Sequence, residues 1–145
     1  MLLDAFGPNS IAVTSQRFSW PEALERAVQL LVSDGRVTSG YIDAVLGANE
    51  RLGPYFVIAP GIAIAHAAPS EEVIETGFAL LKLETPVASG SQNDPVQLLF
   101  SFCAVDSSSH LDLLSDFARV MSSVGKVNLL LNESDPDAIR RHLSD

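Results

Sequence analysis

Residues 55–66, Tyr55-Phe56-Val57-Ile58-Ala59-Pro60-Gly61-Ile62-Ala63-Ile64-Ala65-His66, mark the point where helical periodicity gives way to strand. Tyr55 to Ile58 reads as a short strand, Pro60-Gly61 as a turn, and Ile62 to Ala65 as a second strand running straight into His66. Downstream, Thr76 to Leu83 and Val96 to Val105 are longer apolar runs bounded by turn residues, the pattern of buried central strands. Between them, ASGSQNDP (Ala88 to Pro95) is a polar, turn-rich loop.

Helices flank this block on both sides. Ser19 and Glu22 form an S-x-x-E capping box with Pro21 in the first turn, and Ala23, Ala27, Leu30 and Leu31 recur at helical spacing. The spacing predicts a helix from Trp20 to Asp34, stopped by Gly35. A second is predicted from Ser39 to Glu50, with Tyr41, Ile42, Val45 and Leu46 on one face. In the last third, Ser109 is read as the cap of a helix from His110 to Ser123 whose inward face is Leu111, Leu114, Phe117, Ala118 and Met121. A short helix is expected over Lys126 to Leu131, and Asp135-Pro136 opens a last one ending near Leu143. The order helix, helix, strands, helices predicts a single three-layer α/β/α domain. Because no helices separate the strands, the central sheet is expected to be mixed.

The 145 residues are enough for one domain with a full core and not for two. Nine Lys and Arg against 18 Asp and Glu leave a formal charge of −9, which excludes a nucleic-acid or anionic-membrane surface. No apolar run approaches the roughly 20 residues a spanning helix needs. The N-terminus lacks a basic start followed by an apolar stretch, so a cytoplasmic location is expected. Cys103, the one cysteine, sits in LLFSFCAV and reads as a buried structural thiol.

His66 is the candidate for chemistry. From Gly53 to Pro69 there is no Lys, Arg, Asp or Glu, and Ala67-Ala68-Pro69 behind the histidine are too small to shield it. A neutral imidazole has a nucleophilic lone pair, and small neighbours leave room for an incoming group. The spacing equally fits a histidine that only caps a strand edge. His110 is placed at a helix start, a position where the dipole disfavours a cation and the free amides favour an anion. If the two histidines meet, they suit a phosphoryl group; a solvated first-turn histidine is the alternative. His142, beside Arg140 and Arg141, reads as an exposed helix end. Two histidines without a carboxylate or thiol at ligand spacing make a poor metal site, and no glycine-rich phosphate loop or G-x-S-x-G elbow occurs. Glu71-Glu72 reads as a solvated helix start or loop.

At APGIAIAHAAP (Ala59 to Pro69) the chain resembles the active-site segment of the mannitol/fructose-type enzyme IIA family of the bacterial sugar phosphotransferase system. GPYFVIAPG (Gly53 to Gly61), TGFALLKLETP (Thr76 to Pro86), NDPVQLL (Asn93 to Leu99) and AVDSSSH (Ala104 to His110) resemble its ascorbate-type branch most. The resemblance implies one EIIA domain over residues 1–145, acting as a cytoplasmic phosphotransferase component. His66 would accept a phosphoryl group as a tele-phosphohistidine from the phosphocarrier protein HPr and pass it to an enzyme IIB partner, with His110 stabilising it. The sugar, ascorbate or a relative, is handled by the membrane IIC component; no metal or organic cofactor is implied. Monomer and homodimer both stay open. Three positions depart from the family pattern. Its proline before the histidine is Ala65, and its arginine two residues after is Ala68. The mannitol-type arginine at the end of the second helix falls at Ala48 or Asn49, with Arg51 close by but not aligned. The departures motivate a rival reading, a regulatory EIIA-like module that acts by binding a regulator or transporter. A small hydrolase using His66 as base lacks a recognisable Ser, Cys or Asp partner.

Small residues at Ala63, Ala65, Ala67, Ala68 and Gly61 are expected to leave a flat approach to His66. The acidic residues Glu71, Glu72, Asp106 and Asp112 are expected to flank it and steer a basic partner.

Overall fold

The computed structural model describes residues 2–144. Five strands, β1 (Phe6–Thr14), β2 (Val57–Ala59), β3 (Ile62–Ala65), β4 (Gly77–Val87) and β5 (Val96–Cys103), form one sheet in the order β1-β4-β5-β3-β2. β1 runs parallel to β4 and β3 parallel to β5, whereas the β2–β3 and β4–β5 pairs are antiparallel. The sheet is therefore mixed, as expected. Helices α1 (Trp20–Ser33) and α2 (Gly40–Leu52) cover one face; α3 (Ser107–Met121), α4 (Val124–Asn132) and α5 (Pro136–Leu143) cover the other.

Strand alternation sorts the core into two layers. Ala63, Ala65, Ala79, Leu81, Leu83 and Leu99 face Ala23, Ala27 and Leu31 of α1. Ile62, Ile64, Phe78, Leu80, Phe100 and Phe102 face Phe117, Leu130 and Ile139. Each fully buried leucine or phenylalanine contributes about 1.5–3 kcal/mol. Small side chains under α1 let that helix lie close to the sheet, so Ala63 and Ala65 are core residues, not part of an approach to His66 as expected.

The capping box forms as read: the Ser19 hydroxyl accepts from the Glu22 amide at 3.3 Å, and the Glu22 carboxylate accepts from the Ser19 amide at 2.8 Å. Gly35 follows the helix with φ +70°, the conformation that favours glycine. The strand expected at Tyr55 starts two residues later, because Tyr55 is in a turn with its amide on the Gly53 carbonyl at 2.9 Å. The polar loop holds a cis Asp94–Pro95 bond, and the Asp94 carboxylate accepts from the amides of Ser89 and Gly90.

Two differences from the sequence reading stand out. β1 lies where no strand was expected. Gly7-Pro8-Asn9-Ser10 interrupts its apolar pattern, and the ladder to β4 jumps from Phe6–Phe78 to Ile11–Leu80, a bulge that absorbs these residues. At the sheet edge a proline costs no ladder bond. The interrupted backbone is tied down instead by Arg140, which donates to the Gly7 carbonyl at 2.7 Å, and by Asp34, which accepts from the Asn9 amide at 2.9 Å. In α3 the cap is Asp106, whose carboxylate accepts from the Ser109 amide at 2.8 Å, so the helix begins three residues before His110. Its buried face is Leu113, Phe117 and Val120, while Leu111 is 67% exposed and Ala118 is also exposed. The helix is rotated from the expected face, with Leu114 and Met121 at its margin. Among the described residues no helix is long and apolar enough to cross a membrane.

Candidate functional site

β3 ends at Ala65, and His66 is the first residue beyond it. Continuing the alternation, its ring lies on the same side of the sheet as Ile62 and Ile64, stacked on Phe102 at a centroid distance of 4.9 Å. Nδ1 lies 3.1 Å from the carbonyl oxygen of Ile64. A carbonyl only accepts, so this contact places the proton on Nδ1 and leaves a lone pair on Nε2. Burial, with repulsion from His110 adding to it, holds the imidazole below its ordinary value of 6.5 against the opposing Ile64 hydrogen bond. The ring is therefore neutral at physiological pH.

His110 is brought to it by α3. Its amide bonds the Asp106 carbonyl at 3.1 Å, so it is the residue that closes the first turn. Its ring stands edge-on to His66 at 5.6 Å and 70°, and edge-on to Phe102 at 4.9 Å. Two histidines 44 positions apart thus meet across one phenylalanine face. Ahead of His110, the Asp106 carboxylate already accepts from the Ser109 amide of this helix start. His142 does not join the pair: its Nε2 lies 3.4 Å from Glu133 at the α4–α5 junction.

Phe56 and Tyr55 complete the aromatic surround, with centroids 5.6 and 5.8 Å from His66. Beside Tyr55 a cleft of about 440 Å³ is walled by Ala48, Arg51, Leu52, Ala67 and Ala68. Ala68, at the position where the resemblance leads to an arginine after the histidine, and Ala48, one of the two candidates for the second-helix arginine position, lie in its wall, and Arg51 faces the same space. On the far side of Ser109, a shallow groove of about 540 Å³ is lined by Arg36, Ile74, Thr76, Val105 and Asp112. Glu71, Asp106 and Asp112 are exposed, while Glu72 is half-buried and accepts from the Thr38 hydroxyl at 2.7 Å.

Phe102 and Tyr41 are site residues that the sequence reading did not single out. Phe102 is hidden in the uniform apolar run of β5, and Tyr41 reads as one more residue on a helix face. The Tyr41 hydroxyl accepts from the Ala67 amide at 2.9 Å and lies 2.8 Å from the Phe102 carbonyl and 3.1 Å from the Ala67 carbonyl. Cys103 is fully buried, its thiol donating to the Glu75 carbonyl at 3.3 Å and pushed up to about 12 by burial. It takes no part in the site. Among the described residues no three His, Cys, Asp or Glu side chains converge to hold a metal ion.

Comparison with known proteins gives the chain its relatives. The phosphoenolpyruvate-dependent sugar phosphotransferase system EIIA 2 family matches residues 5–145. The ascorbate-specific PTS system EIIA component of Escherichia coli K12 is 38% identical over 141 residues, 96% of this chain and 86% of its own length. Its Salmonella typhimurium counterpart is 38% identical over 133 residues, covering 91% and 81%. Among solved structures, the mannitol-specific cryptic enzyme IIA CmtB of Escherichia coli superposes with a TM-score of 0.90 at 28% identity over 99% of this chain and 97% of that one. A complex of Escherichia coli mannitol enzyme IIA with phosphorylated mannitol enzyme IIB shares the fold, with a TM-score of 0.81 at 20% identity over 96% of both chains. The class so defined is an α/β phosphotransferase. The chain belongs to the EIIA 2 family of the phosphoenolpyruvate-dependent sugar phosphotransferase system.

Proposed function

We propose that residues 1–145 act as one cytoplasmic EIIA domain, whose His66 accepts a phosphoryl group on Nε2 from phospho-HPr and passes it to an enzyme IIB. The observation that carries the reading is the Nδ1 contact with the Ile64 carbonyl, which leaves Nε2 as the free nucleophile. In the acceptance step Nε2 forms a bond to phosphorus as the bond from phosphorus to the donor atom of HPr breaks. In the delivery step the new N–P bond breaks as phosphorus passes to the acceptor on IIB, and His66 returns to its neutral form. A loose phosphoryl-transfer transition state asks for in-line positioning and for donors at the equatorial oxygens. His110, 5.6 Å away, is placed to be such a donor. The named complex of a related fold with an enzyme IIB supports a IIB partner, and the exposed Tyr55, Val105 and Leu111 close to the site in sequence give a partner apolar contact. The ascorbate-specific relatives support L-ascorbate or a related compound as the sugar phosphorylated by the associated IIB and the membrane IIC.

Incubation with phosphoenolpyruvate, enzyme I and HPr, followed by intact mass measurement, tests the reading. One phosphoryl group is expected on the chain and none on His66→Ala. An unmodified wild type, or an adduct surviving His66→Ala, overturns it. Adding an ascorbate-type enzyme IIB should drain the label; retention of the label would instead support the regulatory module.

A further inference from the structure

The parallel ladder between β3 and β5 stops one rung short, and the phenol of Tyr41 occupies the gap. β3 pairs with β5 from Ile62–Leu98 to Ala65–Ser101. The Gly61 carbonyl accepts from the Leu98 amide at 2.9 Å, which sets the phase. In a parallel pair every second residue of a strand turns its amide and carbonyl to the same neighbour. Gly61, Ala63 and Ala65 are therefore the residues facing β5, and the next rung would join the Ala67 amide to the Phe102 carbonyl. That bond is not made. The Tyr41 hydroxyl lies between the two groups, 2.9 Å from the Ala67 nitrogen and 2.8 Å from the Phe102 oxygen. The amide donates to the hydroxyl, and the hydroxyl donates onward to the carbonyl.

This inserted hydroxyl holds the strand ends apart at His66. Both groups it touches belong to the site: Ala67 follows the histidine, and Phe102 carries the ring on which His66 and His110 rest. The segment Ala65-His66-Ala67-Ala68 has no proline to restrict it. His66 is instead fixed from two sides, by Ile64 through its own Nδ1 and by Tyr41 through Ala67. Tyr41 is itself fully buried. Burial pushes its phenol above the ordinary value, so the proton that bridges to Phe102 stays in place at every working pH.

We propose that Tyr41 is a positioning residue for phosphoryl transfer, its hydroxyl replacing the last rung between β3 and β5 and so setting the direction in which His66 presents Nε2. The proposal rests on His66 being the acceptor. Without the hydroxyl, the Ala67 amide and the Phe102 carbonyl either close into a direct rung, drawing the histidine toward the sheet, or stay unpaired.

Tyr41→Phe in the full chain tests it with two readouts. Acceptance from phospho-HPr is expected to slow by about ten- to a hundredfold, the scale of a small misplacement of a reacting atom. The ring 15N shifts of His66, which report an Nδ1–H tautomer in the wild type, are expected to move toward a mixture of tautomers. A residue that merely stabilised the fold would lower the unfolding midpoint and leave both the rate and the His66 shifts of the folded variant unchanged, and that result overturns the proposal. If Tyr41→Phe does not fold, the wild type decides. Its Tyr41 hydroxyl proton should exchange slowly with water and show a cross-peak to the Ala67 amide, and a rapidly exchanging proton without that cross-peak overturns the proposal. A wild type that takes up no phosphoryl group removes the reading of His66, while the tautomer and cross-peak measurements still report on the hold by Tyr41.

Discussion

At the scale of single residues, the site is governed by how few charges surround an imidazole that must stay neutral. Burial and His110 hold His66 below its ordinary value of 6.5, so over the interval between the folded and unfolded values the unfolded chain binds more protons. Its contribution to stability is therefore complete above the unfolded value and is lost as the pH falls below it toward the folded one. Urea unfolding at pH 7.5 and at pH 5 should show a loss on acidification that His66→Gln reduces. For the same reason, phosphoryl acceptance should stay level as the pH is lowered through 6.5, where a free imidazole would already be losing its lone pair. A stopped-flow pH profile checks this. The missing guanidinium two residues on can be restored. Ala68→Arg places a cation in the wall of the cleft that Arg51 already faces. A charge-assisted hydrogen bond is worth roughly 1.5–3 kcal/mol, so the phosphohistidine lifetime should lengthen by about tenfold or more. Arg51→Gln should shorten it, as read by decay of the labelled protein.

At the scale of elements, α3 carries His110, and aromatic packing keeps α3 in place. Phe117 stacks on Phe78 at 5.4 Å and stands edge-on to Phe100 at 4.9 Å. Phe117→Ala should cost about 3–5 kcal/mol, measured by denaturant titration. It should also slow transfer in the fraction that remains folded, because His110 loses the support of its helix. Much at this scale was legible beforehand. The Ser19–Glu22 box, the Pro60-Gly61 turn and the Asp135-Pro136 start are local signals, and each marks the boundary it implies. What was hidden depends on partners far away in the chain. β1 owes its strand conformation to β4, Asp34 and Arg140, and Gly7-Pro8-Asn9-Ser10 carries no strand pattern of its own. α3 was misplaced because Ser109 looked like a cap, whereas Asp106 performs that function three residues earlier. The pairing of His66 with His110 could be stated only as a condition, since nothing local in either segment refers to the other. Tyr41 stayed invisible because its function is to bond backbone groups of two other elements.

For the whole molecule, the net charge of −9 and the exposed carboxylates of Glu71, Asp106 and Asp112 predict a transfer rate that depends on ionic strength. With a partner of basic rim, the association rate should fall several-fold between about 50 and 500 mM salt, while the chemical step within the complex stays constant. Rapid-quench measurements at several partner concentrations separate the two. The edge position of β1 bears on how the chain is made. Phe6 finds its partner at Phe78, and Thr14 at Leu83. During synthesis from the N-terminus, this first strand therefore leaves the ribosome well before its pairing surface exists. Antiparallel β4 and β5, joined by a short loop, can zip together as soon as both have emerged, and the loop-closure cost of the β1–β4 pair is met later. β1 then docks only after the strand it pairs with has been made.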